Sequence, residues 1–163
     1  MGDFKIGIVG PNFIDEDDVE RKLLLDRVAK IVAESGFEIV LTPDKNSLLE
    51  YFAKKYIEFG GAKVNLVVPD EYPFFNYFSE DVGEKVFCEK WQDQPWRINE
   101  ESNAFVCLGY SWESMREIGC AQWSSPKKIY VLEEFVTARL PEELGFMVDY
   151  VEMAELKDEL RKL

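Results

Sequence analysis

A chain of 163 residues with 47% apolar and 14% aromatic side chains can build one full hydrophobic core and is too apolar to be disordered. Its 32 acidic against 19 basic residues leave a formal charge of −13, which repels polyanions and argues against nonspecific binding of nucleic acid or anionic membranes. It has no histidine, so the Ser–His and Cys–His pairs and the commonest zinc ligand are missing, and any catalysis falls to carboxylates, Tyr, Lys, Ser or backbone groups.

Residues 5–9, KIGIV, read as a first strand followed by the turn Gly10, Pro11, Asn12. The acidic run from Asp15 to Asp18 marks a helix start, where the macrodipole favours negative charge. Val19, Leu23, Leu24, Val28, Ile31 and Val32 then form an apolar stripe that stops at Ser35 and Gly36. Residues 37–41 form a second strand. Ser47 opens a second helix with Leu48, Leu49, Phe52, Ala53, Tyr56 and Ile57 on its buried face, and Gly60–Gly61 ends it. Residues 64–68 are a third strand closed by Pro69. Such β–α repeats imply right-handed crossovers and a parallel sheet.

Residues 70–100 break that rhythm. Tyr72, Phe74, Phe75, Tyr77, Phe78, Trp91 and Trp96 stand among acids and prolines, which reads as an ordered lid or dimer surface with a short strand at 85–88 inside it. The pattern resumes with a strand at 104–108 and a helix from about 112 to 124 carrying Met115, Ile118 and Trp123 on its apolar face. A strand at 129–132, a turn or helix at 140–144, a strand at 147–151 and a helix at 154–163 complete the chain. The expectation is a single doubly wound, mostly parallel Rossmann-like α/β domain over residues 1–163. Counting the strand at 104–108 as the fourth, the expected order is 3-2-1-4-5, with a ligand crevice between the ends of the first and fourth strands.

Cys88, Cys107 and Cys120 show no CxxC spacing, and the last two read as small core residues, so no metal site is expected. With no signal peptide and no apolar run near the ~20 residues that span a bilayer, a cytoplasmic location is expected.

Function concentrates at residues 104–119, AFVCLGYSWESMREIG. A buried strand runs through Gly109 into a helix capped by Ser111, a geometry that offers unpaired backbone N–H groups to an anion. Gly109, Tyr110, Ser111 and Ser114 on this turn, with Gly10, Pro11 and Asn12 on the first, are the candidate ligand contacts, and Glu117 holds a carboxylate near the same mouth. Glu113 opposes phosphate there. Two like charges 4–5 Å apart cost about 3–4 kcal/mol at an effective dielectric of 20, whereas a helix end returns only about 0.3–1 kcal/mol.

The order of elements, the run GG-x-KV-x-x-VVP at residues 60–69 and this strand–turn–helix resemble the LONELY GUY family. That family was once labelled lysine decarboxylase-like and belongs to the SLOG group of Rossmann-like nucleotide proteins; the resemblance covers residues 4–135. Of the family's GGG-x-GT-x-x-E-I, Gly109, Glu117 and Ile118 match and Ser114 replaces threonine, while Tyr110, Ser111 and Glu113 stand in place of glycines. The second turn, from Thr42 to Ser47, keeps no glycine. The resemblance implies hydrolysis of the N-glycosidic bond of a nucleoside 5′-monophosphate without a cofactor, in a homodimer. In it Glu117 stabilises an oxocarbenium-like centre and Arg97 grips substrate or phosphate.

Three alternatives stand beside it. One is a nucleotide-binding protein of the same fold without turnover, which the lost glycines favour. Another is a nucleoside deoxyribosyltransferase-like enzyme, which the chain resembles in Gly10-Pro11-Asn12-Phe13 and in Glu117-Ile118-Gly119-Cys120-Ala121, with Glu117 near a nucleophile's role and Asn103 near where that family carries a strand-end aspartate. The last is a dimeric interaction protein using the helix at 112–124 without a ligand.

Overall fold

The computed structural model describes residues 4–71, 78–79, 81–123 and 127–163; Tyr72, Phe74, Phe75 and Tyr77 of the aromatic excursion lie outside them. The elements are β1 (Lys5–Val9), α1 (Val19–Ser35), β2 (Glu38–Leu41), α2 (Leu48–Glu58), β3 (Val64–Pro69), β4 (Glu84–Cys88), α3 (Gln94–Glu101), β5 (Ala104–Cys107), α4 (Trp112–Trp123), β6 (Lys128–Leu132), β7 (Asp149–Val151) and α5 (Met153–Leu160). Among the described residues the strands form one parallel sheet in the order β4-β3-β2-β1-β5-β6-β7. The expected central order is present. The 85–88 segment is not inside an excursion, however; it joins the sheet as an edge strand, with Asn65 opposite Glu84 and Pro69 opposite Cys88.

Side-chain alternation along each strand divides the core into two layers. Ile6 and Ile8 of β1 pack with Leu25, Val28, Phe52 and Leu156, which belong to α1, α2 and α5. Val9 packs instead with Ile98, Ile118 and Ala121, from α3 and α4. Strands covered on both faces by helices need the continuous apolar runs seen in the sequence. Helix ends follow local chemistry: the Ser47 hydroxyl accepts from the Glu50 N–H at 3.0 Å, and an Asp18 carboxylate oxygen accepts from the Arg21 N–H at 2.9 Å. No described helix is long and apolar enough to cross a membrane.

Three helix faces differ from the apolar stripes. On α1, Val19 and Leu23 are exposed while Leu25 and Ala29 turn inward. On α2, Ile57 is exposed and Glu50 is buried. On α4 the buried residues are Ser114, Glu117, Ile118 and Ala121, and Trp123 stands 85% exposed. Under α4, Phe105 shares the layer that Ile118 and Ala121 enter. Cys107 is a buried core residue as expected, but Cys120 is only half-buried.

Gly7 stands opposite Phe105 in the β1–β5 ladder, where an added Cβ would lie 2.4 Å from the Phe105 ring and 2.7 Å from the Ser102 hydroxyl. Gly7→Ala is expected to lower stability by about 1–3 kcal/mol in urea denaturation. Phe105→Leu in the same chain should give back part of that loss, measured as a double-mutant coupling. Simple additivity would show that the two side chains do not compete for this space.

Candidate functional site

At the carboxyl ends of β1 and β5 the chain leaves toward opposite faces of the sheet, α1 into one layer and α4 into the other. A crevice must open at such a point. Gly109 makes the turn out of β5 with φ +120°, a conformation that L side chains rarely adopt. It is also hemmed in: an added Cβ would sit 3.1 Å from the Phe135 carbonyl oxygen and 3.3 Å from both Arg21 Nη2 and Pro11 Cδ. Gly10 lies against Leu108, 3.2 Å from its Cβ to an added Cβ. These residues shape the turns.

The next residues use their polar groups on each other. Ser111 N–H donates to the Ser114 hydroxyl at 2.7 Å, and Ser114 N–H donates to the Ser111 hydroxyl at 3.1 Å. Ser114 is fully buried. The pair therefore closes the first turn of α4 internally, in the manner of a reciprocal cap. Tyr110 reaches the other way, its hydroxyl 2.8 Å from that of Tyr150 on β7.

Below this turn lies a crevice of about 80 Å³ lined by Asn12, Thr42, Asp44, Gln94, Glu113, Arg116 and Glu117, with Trp91 and Pro95. Three of these are carboxylic acids. Glu117 is buried, and its Oε2 has no hydrogen-bond partner among the described residues. Burial pushes its pKa up to about 8, Asp44 and Glu113 push the same way, and Arg116 opposes them. Asp44 is raised to about 6 by burial and then by Glu113, against a hydrogen bond from Asn12 that favours its charge. Near neutral pH, Glu117 mostly keeps its proton and Asp44 has mostly lost its own. One carboxyl can then donate where the other accepts, an arrangement suited to proton transfer or to stabilising positive charge. Arg116 stacks on Trp91, 5.0 Å from the ring centroid. Among the described residues no three Cys, Asp or Glu side chains form a group that could hold a metal ion.

The structure thus brings Asn12 and Glu117 to one crevice and sets Gly10, Pro11 and Gly109 in the turns beside it. It does not bring Arg97 there. Arg97 pairs with Glu100 at 3.2 Å and Glu101 at 2.8 Å, one helical turn further along α3, and does not line the crevice. Those glutamates, three and four residues on, claim the guanidinium. Sequence reasoning missed Asp44. The available signal was topological: in a parallel sheet the turn after β2 ends at the same rim as the turn after β1, so an acid in the turn from Thr42 to Ser47 faces the crevice.

Along the same two turns, Phe13 follows Asn12, and Asn46 and Ser47 follow Asp44. They border a second hollow of about 630 Å³, which Tyr51, Lys22 and Lys54 also line. Phe13 is 75% exposed.

No protein-family profile matches the chain, and no curated protein sequence matches it. Solved structures do. The molybdenum cofactor carrier protein of Chlamydomonas reinhardtii is similar at 17% identity and a TM-score of 0.76, over 99% of this chain and 98% of that one. The molybdenum cofactor binding protein of the phototrophic bacterium Rippkaea orientalis is similar at 12% identity and a TM-score of 0.78, again over 99% and 98%. TM1055, a structural genomics target, is similar at 14% identity and a TM-score of 0.77, over 98% and 99%. At these identities the likeness is one of fold. The chain is a Rossmann-type α/β protein.

The buried acid sets a pH dependence. An unfolded Glu117 titrates near 4.5, so between there and about pH 8 the folded protein holds a proton that the unfolded chain has released. Its contribution is whole below about 4.5 and is lost as pH rises through about 8. Glu117→Gln is expected to be more stable than the parent above pH 8 by on the order of 3 kcal/mol, and the gap should close as pH falls. Urea midpoints across this range check it, and parallel curves for the two proteins would contradict the burial of the carboxyl.

Proposed function

We propose that the chain binds a small nucleoside-like ligand at the rim of β1, β2 and β5 and cleaves its N-glycosidic bond. The observation that carries this reading is the unpartnered Glu117 Oε2, buried in a crevice with Asp44. A buried polar atom without a partner costs about 1–3 kcal/mol, which a ligand hydroxyl or ring nitrogen would recover. The crevice has room for about two or three waters, hence for one functional group of a ligand. The neighbouring hollow has room for a ring system, with Phe13 and Tyr51 offering aromatic surface.

Asp44 and Glu113 select against a phosphate in the crevice, so the ligand is an unphosphorylated nucleoside rather than a nucleotide. In this reading Glu117 delivers its proton to the departing base as the C1′–N bond breaks, Asp44 stabilises the positive charge that grows on the sugar, and a water adds to C1′ and releases the proton that returns Glu117 to its acid form. No part of the reaction is assigned to Arg97. The protein acts as a pair of chains, as the family resemblance implies.

A second reading is carriage without turnover. It is favoured by the full-length likeness to proteins described as carriers or binders of the molybdenum cofactor.

Thermal shift with nucleosides, nucleoside monophosphates and the molybdenum cofactor separates these readings. Nucleosides are expected to raise the melting temperature, with a gain of about 2.7 kcal/mol at a concentration one hundred times Kd. Glu117→Gln should keep that shift and lose at least about 100-fold in base release. Stabilisation by phosphorylated compounds alone would favour carriage, and no shift with any of them would end the ligand proposal.

A further inference from the structure

A groove of about 440 Å³ lies along the outer side of α4 and has no part in the cleavage described above. Its floor is the helix itself at Gly119 and Cys120, where side chains are small or absent. Gly119 has nothing within 4 Å of where a Cβ would stand, so open space begins at the backbone. Glycine inside a helix is unfavourable relative to alanine, and here it keeps the floor flat. Trp96 of α3 and Trp123 of α4 line the groove, 43% and 85% exposed, together with Phe146. The wall that carries Phe146 is tied to α4: the Gln122 side chain accepts from the Met147 N–H at 2.7 Å and donates to the Met147 carbonyl at 3.4 Å.

Charge separates this groove from the other openings. Among the described residues its lining carries one charge, that of Arg116, and no acid. The crevice and the larger hollow beside Tyr51 are both lined by carboxylates. Arg116 forms no ion pair among the described residues, and its guanidinium rests over the Trp91 ring, 5.0 Å from the centroid. Such a contact leaves N–H groups of the fork for an oxyanion.

We propose that this groove is a second binding site, for a flat aromatic ring bearing a single carboxylate, with the ring over Gly119 beside Trp96 and Trp123 and the carboxylate on Arg116. The volume falls within the range of about 300–1,000 Å³ found for small-molecule pockets, which join apolar and aromatic linings to a few placed polar groups. Indole faces stack on planar rings, and a guanidinium meets a carboxylate through two parallel hydrogen bonds. Net charge limits the ligand to one anion. Arg116 supplies a single positive charge, while Asp44 and Glu113 stand on its crevice side and the chain as a whole carries −13. Each further negative charge on the ligand meets their repulsion without a second cation to offset it.

This inference does not rest on the proposed cleavage and is tested without nucleoside. The probe is 2-naphthoate. Calorimetric titration of the full chain is expected to show one site with a Kd of about 1 mM or tighter, accompanied by quenching of tryptophan emission. The uncharged 2-naphthalenemethanol should bind at least about tenfold more weakly, and so should 2-naphthoate to Arg116→Gln. Cyclohexanecarboxylate keeps the charge but offers no ring to stack, and should weaken similarly. Gly119→Leu fills the floor and should abolish binding, while its thermal transition stays cooperative because an open helical position accepts leucine. The same variant should keep any thermal shift that nucleosides give, so the two sites can fail separately. Trp112→Phe, outside the groove lining, should bind as the parent does. If Gly119→Leu does not fold, Arg116→Gln and Trp123→Ala decide. No saturable binding to the parent overturns the proposal and leaves this face to a macromolecular partner. Binding that survives both Gly119→Leu and Arg116→Gln overturns it, and so does tighter binding of 2-naphthyl phosphate than of 2-naphthoate.

Discussion

The site depends on the parting of two adjacent parallel strands. β1 and β5 run side by side from Ile6 opposite Ala104 to Val9 opposite Cys107, and their carboxyl ends then send helices to opposite layers of the molecule. Neither helix can fill the space directly beyond the strands, so an opening at that rim follows from topology. Gly109 is where this constraint is tightest. A backbone at φ +120°, with the Phe135 carbonyl, Arg21 and Pro11 crowding the place of a Cβ, strains any side chain there. Gly109 is therefore explained by geometry whether or not anything binds, whereas the acids that line the opening are not.

Those acids change the polarity of the opening. A helix N-terminus reached from a strand favours negative charge through its unpaired amides. In this chain Ser111 and Ser114 satisfy part of that demand between themselves, and Glu113 supplies negative charge in the first turn. The space that a phosphate would take in a glycine-rich turn is thus answered from within the protein. What remains open is the inner side, where Glu117 and Asp44 sit with raised pKa values near 8 and 6. Two carboxyls whose environments set them on either side of neutrality offer a proton donor and an anion in one small space.

How much of this was legible depended on what kind of signal each element carried. The central strands are continuous apolar runs because helices cover both faces, and such runs reveal themselves and their parallel pairing together. β4 was legible as a short strand at 85–88 but not as part of the sheet, since most of its side chains are exposed and only its position beside β3 makes it an edge strand. Glu117 was readable from its distance to Gly109 along one helix. Asp44 was not, because its partner in the crevice is far away in sequence and the link between them is the register of the sheet. Arg97 was placed by its position in the chain ahead of β5, but local pairing with Glu100 and Glu101 outweighs any pull from the crevice. α4 misled through hydrophobicity itself. Its largest apolar residues face outward and two of its polar ones face inward, the inverse of an ordinary surface helix.

That inversion has one physical account for all three sides of α4. Ile118 and Ala121 pack the helix onto the sheet beside Phe105, and Glu117 on the same inner side lines the crevice. Arg116, next in the chain, is thereby turned outward, where it stacks on Trp91 and still lowers the pKa of Glu117 against the push of the other acids. The same rotation fixes Trp112, Gly119 and Trp123 on the far side. A helix that must carry a buried acid on its inner edge cannot also hide its indoles there. The exposed tryptophans and the buried glutamate are thus consequences of a single rotational setting, and Arg116 lies between them, with its guanidinium shared by the crevice and the outer groove.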